Sequence, residues 1–257
     1  MRLILNYWII PIAIRIHCCI VGLFNCWQTL SQYAIRNTQY QIIALFLAIS
    51  SSAFGQQVNI IEKPIIFDAT RTRLSIDYLK RRHDLVQKTA TISPIMVVLH
   101  WTASRTLMGT YNAFNKSILP RDRKAIASAS SLNVSSHYLV DRDGTIYQLL
   151  PDTTFARHVI GLNYCAIGIE NVGSNDFPLT KAQLFANEKL IRYLAKKYPI
   201  QYLIGHYEHT LFKNTALWRE TNPYYHSDKS DPGKAFMKSI REELQDLGLK
   251  GAPIKAN

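Results

Sequence analysis

Cysteine is nearly missing from the body of this chain. There are four in all. Cys18, Cys19 and Cys26 fall near the start, which leaves only Cys165 beyond residue 55. One thiol cannot close an intramolecular bridge, so no disulfide framework holds the body together. No CxxC pair occurs, which excludes a structural zinc site built on cysteines. Acidic residues are missing from the first 55 positions, which carry Arg2, Arg15 and Arg36 and no Asp or Glu. Also lacking are an internal repeat and a basic run interleaved with aromatics, the feature that would favour nucleic acid.

The body is basic. With those three arginines removed, 27 Lys and Arg stand against 18 Asp and Glu, a net +9 of the chain's +12. Such a balance suits a polyanionic neighbour, whether nucleic acid, an anionic membrane surface or an acidic cell-wall polymer. Charge alone does not choose among them.

Two apolar stretches open the chain. Leu3–Trp27 is broken by Asn6, Pro11, Arg15 and His17, and a mid-segment arginine suits a bilayer span poorly. The second has Arg36, then IIALFLAI over 42–49, then SSSAFG. A charged start, a short apolar core and small residues at the end are the layout of a secretory signal, with cleavage expected after Gly55. A membrane anchor within residues 1–55 is the alternative.

Residues 56–94 read as an extended lead-in with a short helix over Ile76–Val86. IMVVLH (Ile95–His100) is a continuous apolar run suited to a buried strand. Thr110–Lys116 is read as helical. HYLV and TIYQL flank Asp143-Gly144, a hairpin signal. AIGIENV (Ala166–Val172) and YLIGH (Tyr202–His206) are further strands. Leu184, Leu190, Ile191 and Leu194 share a helical face over 179–198, with Thr180 placed to cap it. A long aromatic-rich loop, 207–228, precedes a helix near Lys234–Leu247 and a polar tail, 248–257. Strands and helices interspersed in this way predict an α/β or α+β fold with a central mixed β-sheet flanked by helices.

Three of the strands end in residues that an interior strand rarely carries: His100, Glu170 and His206. Sites gather at the ends of strands in α/β sheets. Late in the chain, KSDPG puts Lys229 and Asp231 two residues apart, so an extended segment presents both to one side. Two imidazoles and a carboxylate are the usual ligand set of a catalytic zinc with one position left open. Glu170 is then a base for water, and Lys229 a partner for negative charge on a carbonyl oxygen.

VVLHWTAS, SSHYLVDRDGTIYQLLPD, AIGIENVG, LIGHYE and KSDPGKAF, in this order, resemble the family 2 N-acetylmuramoyl-L-alanine amidases, which are related to phage lysozyme-type amidases and peptidoglycan recognition proteins. The resemblance runs from about Ile95 to Leu244, within an expected catalytic domain of residues 95–247. It implies one zinc per chain on His100, His206 and Asp231, with Glu170 and Lys229 catalytic. It implies cleavage of the amide between N-acetylmuramic acid and L-alanine in peptidoglycan or muropeptides. The N-terminal stretches add the expectation of a periplasmic or secreted protein, or one held at a membrane by residues 1–55, with a monomer as the default. The chain departs from compact members in the 25-position separation of His206 and Asp231. That insertion is either a groove wall or a packed excursion. His137, His158 and Asn163 are further expected substrate contacts, with Arg157 a weaker one; support of the hairpin is the alternative for His137 and a structural role that for His158. His209 and His226 form an alternative metal set that closes no strand. Cys165 reads as a buried small residue. A muropeptide-binding module without catalysis is the main rival. A nucleic-acid partner and a different zinc hydrolase rank below it.

Overall fold

The computed structural model describes residues 58–254, apart from the side chains of residues 124 and 125. The signal and anchor expectations for residues 1–55 fall outside that range. Val58–Asn257 is one compact unit.

In chain order the elements are β1 (Ile60–Glu62), α1 (Ala69–His83), β2 (Met96–Trp101), α2 (Leu107–Asn115), α3 (Lys124–Ala127), β3 (Tyr138–Val140), β4 (Ile146–Gln148) and β5 (Ala166–Asn171). They continue with α4 (Lys181–Lys197), β6 (Tyr202–Gly205), a 3-10 segment (His206–Phe212), α5 (Lys234–Glu243) and a last 3-10 turn (Gln245–Leu247). The strands form one sheet in the order β1-β4-β3-β5-β2-β6. Only the β3–β4 pair is antiparallel. This is the expected mixed sheet flanked by helices.

Side-chain alternation sorts the two faces of the sheet. Val97, Leu99, Ile167 and Ile169 pack with Leu190, Ile191 and Leu194 of α4 and with Met237 and Ile240 of α5. Met96, Val98, Ala166 and Ile204 face the other way, onto Val159, Leu162 and Phe212. β2 is buried on both faces, hence its unbroken apolar run. His100, Glu170 and His206 share the parity of the second set. Alternation therefore turns them to the loop-covered face, away from α4 and α5.

The local signals explain several boundaries. Thr180 and Gln183 form a reciprocal capping box at the start of α4, and Lys196 and Lys197 fill its last turn. The β3–β4 hairpin turns at Gly144, whose φ of 87° favours glycine. Asp143 accepts from the Thr145 amide at 2.9 Å beside it.

Four readings need correction. The segment 56–94 is not an extended lead-in: β1 pairs with β4, and α1 begins seven residues before the expected Ile76. Asp68 caps α1 by accepting from the Arg71 amide at 2.8 Å, and four basic side chains in its last turn suit the helix dipole. Residues 248–257 are not only a polar tail. Lys250 pairs with β6, accepting from Leu203 N at 2.9 Å and donating to Gln201 O at 2.8 Å, which covers the open sheet edge. α2 starts at Leu107 under a Thr106 cap, not at Thr110. α5 stops at Glu243, and the rest of the expected helix is the short 3-10 turn.

Candidate metal and catalytic site

Parallel pairing builds most of the site. His100 is in register with Glu170 on β5, and Leu99 with Gly205 on β6. Neighbouring strands lie about 4.8 Å apart, so Glu170, His100 and His206 stand side by side at the carboxyl ends of β5, β2 and the end of β6. His206 itself lies one step past the strand and opens the 3-10 segment. Asp231 joins from the late loop, where its carbonyl accepts from Tyr207 N at 3.1 Å, next to His206. Gly233 follows at φ 90°, and a side chain there would meet the Trp101 ring.

Three ligand atoms converge. His100 Nδ1 and His206 Nδ1 are 2.9 Å apart, and Asp231 Oδ2 lies 3.2 Å from the first and 3.0 Å from the second. Among the described residues this is the one cluster of three such groups able to hold a metal. All three residues are buried. Neutral rings have at most two protons to offer a triangle with three mutual contacts, whereas a central cation satisfies every lone pair. Ligands about 2.0–2.1 Å from a tetrahedral ion would lie roughly 3.3 Å apart, close to the spacing seen.

The protonation pattern also fits. Burial pushes His206 down to about 3, with the neighbouring His100 adding to this, so its ring is neutral. Burial alone would raise Asp231, but its close contacts with the His100 and His206 rings outweigh it and hold the carboxyl far below the usual range. Behind His100 lies His158. Its Nε2 faces Ala166 O at 3.1 Å, and its Nδ1 faces His100 Nε2 at 3.1 Å. A carbonyl only accepts, so Nε2 of His158 carries the proton and Nδ1 a lone pair. His100 Nε2 must then donate, which leaves His100 Nδ1 free to ligate. The His158 ring lies over Gly168, where a Cβ would come within 2.7 Å of it.

Of the two roles open to His158, its contacts favour the structural one, support of a candidate ligand, while its ring also lines the cleft. His158→Phe is expected to weaken zinc affinity about 10–100-fold, checked by competition with a chromophoric chelator. For His137 the substrate contact is corrected and the support of the hairpin stands. It is fully buried, with Nδ1 accepting from Gly168 N at 3.0 Å and Nε2 donating to Thr154 O at 2.8 Å, so it braces the hairpin and cannot reach substrate. Asn163 Oδ1 accepts from His158 N and Val159 N at 2.8 and 2.7 Å, which holds the loop carrying His158.

Glu170 is half-buried, and its Oε2 finds no hydrogen-bond partner among the described residues. Burial pushes its carboxyl up to about 7. His100 and Lys229 pull it down, and Asp231 pushes the other way. That value suits a group that takes and returns a proton near neutrality. Lys229 is exposed and lines the same groove as Glu170, His100 and Asp231, a cleft of about 640 Å³.

The alternative metal set does not assemble. His209 Nδ1 donates to His206 O at 2.7 Å, and His226 is exposed. Cys165 is buried and free, with its thiol pushed up to about 12 by burial, as expected of a packing residue rather than a nucleophile. The insertion is packed and also forms part of a wall. Glu220 meets Arg82 at 2.6 Å, Thr221 N donates to Arg82 O at 3.1 Å, and Tyr225 lines a recess beside His206 and Lys229.

The family model for N-acetylmuramoyl-L-alanine amidases matches residues 90–234, more than half of the chain. The chain belongs to this amidase family. Within the matched span lie all three candidate ligands, Glu170 and Lys229. The chain is 34% identical over 94 residues to the 1,6-anhydro-N-acetylmuramyl-L-alanine amidase AmpD of Haemophilus influenzae, a match covering 34% of this chain and 51% of that protein. The chain thus spans about half the length of that curated relative. Among solved structures, a selenomethionine derivative of AmpD aligns at TM-score 0.47 and 22% identity, covering 74% of this chain and 96% of the other. The amidase LysC of Clostridium intestinale URNW aligns at 0.44 and 21%, covering 75% and 99%. Human PGRP-IBETAC, solved in complex with glycosamyl muramyl pentapeptide, aligns at 0.41 and 19%, covering 59% and 85%.

Proposed function

We propose that this amidase hydrolyses the bond between the lactyl carbonyl of N-acetylmuramic acid and the nitrogen of L-alanine, in peptidoglycan or muropeptides. The observation that carries the reading is the triangle of His100 Nδ1, His206 Nδ1 and Asp231 Oδ2, with contacts of 2.9 to 3.2 Å, beside Glu170. These three residues would hold one zinc per chain. When bound, zinc supplies Lewis-acid polarisation of the carbonyl and lowers the pKa of water at the site.

The chain's own groups do the rest. Glu170 takes a proton from the attacking water as its oxygen adds to the carbonyl carbon. Lys229 offsets the negative charge that gathers on the carbonyl oxygen. The carbon–nitrogen bond then breaks, and Glu170 returns the proton to the departing alanine amine. The products are a lactyl carboxylate and a free peptide.

A binding module without catalysis would have no need of three ligating atoms beside an unpartnered carboxylate. The basic body is compatible with an acidic wall polymer, and the lack of a basic run interleaved with aromatics counts against nucleic acid. With this reading go a periplasmic or secreted location and a monomer. Attachment through residues 1–55 is the alternative, and cell fractionation distinguishes it. For the chemistry, the test is cleavage of a purified muropeptide by the full chain. Activity is expected to vanish with a chelator and to return with added zinc. Turnover that is indifferent to chelation counts against the reading.

A further inference from the structure

Beyond the cleft, the site continues into a small inner recess of about 80 Å³, whose walls include Tyr78, Arg123, Arg157, Asn163, Tyr225 and Lys229. Arg123, Arg157, His158, His206 and Lys229 line both spaces, so the recess opens from the metal site. Tyr78 comes from α1, before the matched family span, and Tyr225 from the insertion after His206. The recess is thus built partly from residues outside the matched family span and partly from the insertion after His206.

Its chemistry is one-sided. Three cationic side chains line it and no acidic one does. Tyr78 Oη and Asn163 Nδ2, each on a residue 1% exposed, have no hydrogen-bond partner among the described residues. Buried groups left in this way ask for a partner. Arg157 has both terminal nitrogens engaged. Its Nη1 donates to Ser130 O at 3.1 Å and to Leu132 O, and its Nη2 to Ile126 O at 2.7 Å and Tyr225 Oη at 3.1 Å. It keeps the two walls together and contributes charge, with the Tyr78 ring 5.3 Å away. A hydroxyl and an amide N–H are therefore left to donate within a positive field. The recess has room for a few water-sized groups, which admits a carboxylate and excludes a sugar ring.

We propose that this recess binds a carboxylate on the peptide arm of the substrate, next to the alanine, and so sets the enzyme's preference for an acidic over an amidated stem. The proposal rests on the amidase reading.

The test uses the full zinc-loaded chain and two muropeptides that differ only in that carboxylate, free in one and a primary amide in the other. The parent is expected to show a KM about tenfold lower for the acid form. Tyr78→Phe removes a hydroxyl that bonds to nothing in the protein, so the fold is spared. It should raise KM for the acid form about tenfold and leave kcat and the amide form within about twofold. Asn163→Asp keeps an acceptor for His158 N and Val159 N but turns the donor into an oxygen, and should reverse the preference. Equal KM values for the two substrates in the parent, or an unchanged preference in Tyr78→Phe, would overturn the proposal. Calorimetry with the free peptide arm, acid and amide, separates it from the amidase reading. A preference for acid that is lost in Tyr78→Phe supports the recess even if neither muropeptide is cut. Cleavage without any such preference sinks the recess and leaves the amidase standing.

Discussion

Glu170→Gln lowers kcat on a muropeptide by about 10³-fold, within the 10²–10⁴ range that a positioned acid–base group supplies, and leaves zinc content unchanged. Glutamine keeps the size of the side chain but cannot accept the proton of water. Zinc measured on the purified variant by elemental analysis separates this outcome from loss of the metal. The pH profile gives a second reading. A proton acceptor must be ionised, so kcat/KM falls tenfold per unit below its pKa and levels above it. Burial places Glu170 near 7, against an ordinary value of 4.5. A bound dication favours the carboxylate, so the acid limb is expected between those two values, and Glu170→Gln should lack it. Stability carries the opposite sign. A raised carboxyl pKa means that the folded state binds more protons than the unfolded one, so stability falls as pH rises from about 4.5 to about 7. The glutamine variant should not show that loss, and at neutral pH it should unfold no more easily than the parent.

Asp231→Ala is the second large effect. It leaves two buried imidazole lone pairs without the anion that completes the set, and zinc affinity is expected to fall by more than the roughly 100-fold that outer partners cost. Activity should be lost at stoichiometric zinc. Metal that binds only the folded state stabilises it by about 4 kcal/mol at a thousandfold excess over Kd. A chelator should therefore lower the parent's unfolding midpoint and leave that of Asp231→Ala where it was. A variant that keeps stoichiometric zinc would remove Asp231 from the ligand set.

The two histidines and Glu170 were legible because each closes an apolar strand, where a polar end has few structural uses. Alternation then puts all three on one face, and the parallel register of β5, β2 and β6 lines them up. Lys229 and Asp231 were visible as a pair, and the chemistry of a zinc set suggested their roles, but a long loop carries no period that would place them beside the strand ends. His158 was left between a substrate contact and a structural role because nothing local records that its two nitrogens face His100 and Ala166. His137 was left open in the same way, since its partners, Thr154 and Gly168, are distant in sequence. α1 was read short and late because its polar face, from Arg71 to Arg82, hides the stripe of Leu74, Tyr78 and Leu79. The recess was out of reach altogether. Its walls meet through Arg157, Tyr78 and Tyr225, contacts spanning 68 residues or more.

The decisive measurement is mass spectrometry of the products formed from a purified muropeptide in ¹⁸O-labelled water by the full zinc-loaded chain. Amide hydrolysis at the lactyl group predicts one ¹⁸O on the released muramic carboxylate, an unlabelled peptide with a free alanine amine and an intact glycan. Label in the peptide, a cut between sugars, or an unchanged muropeptide with zinc bound would contradict it.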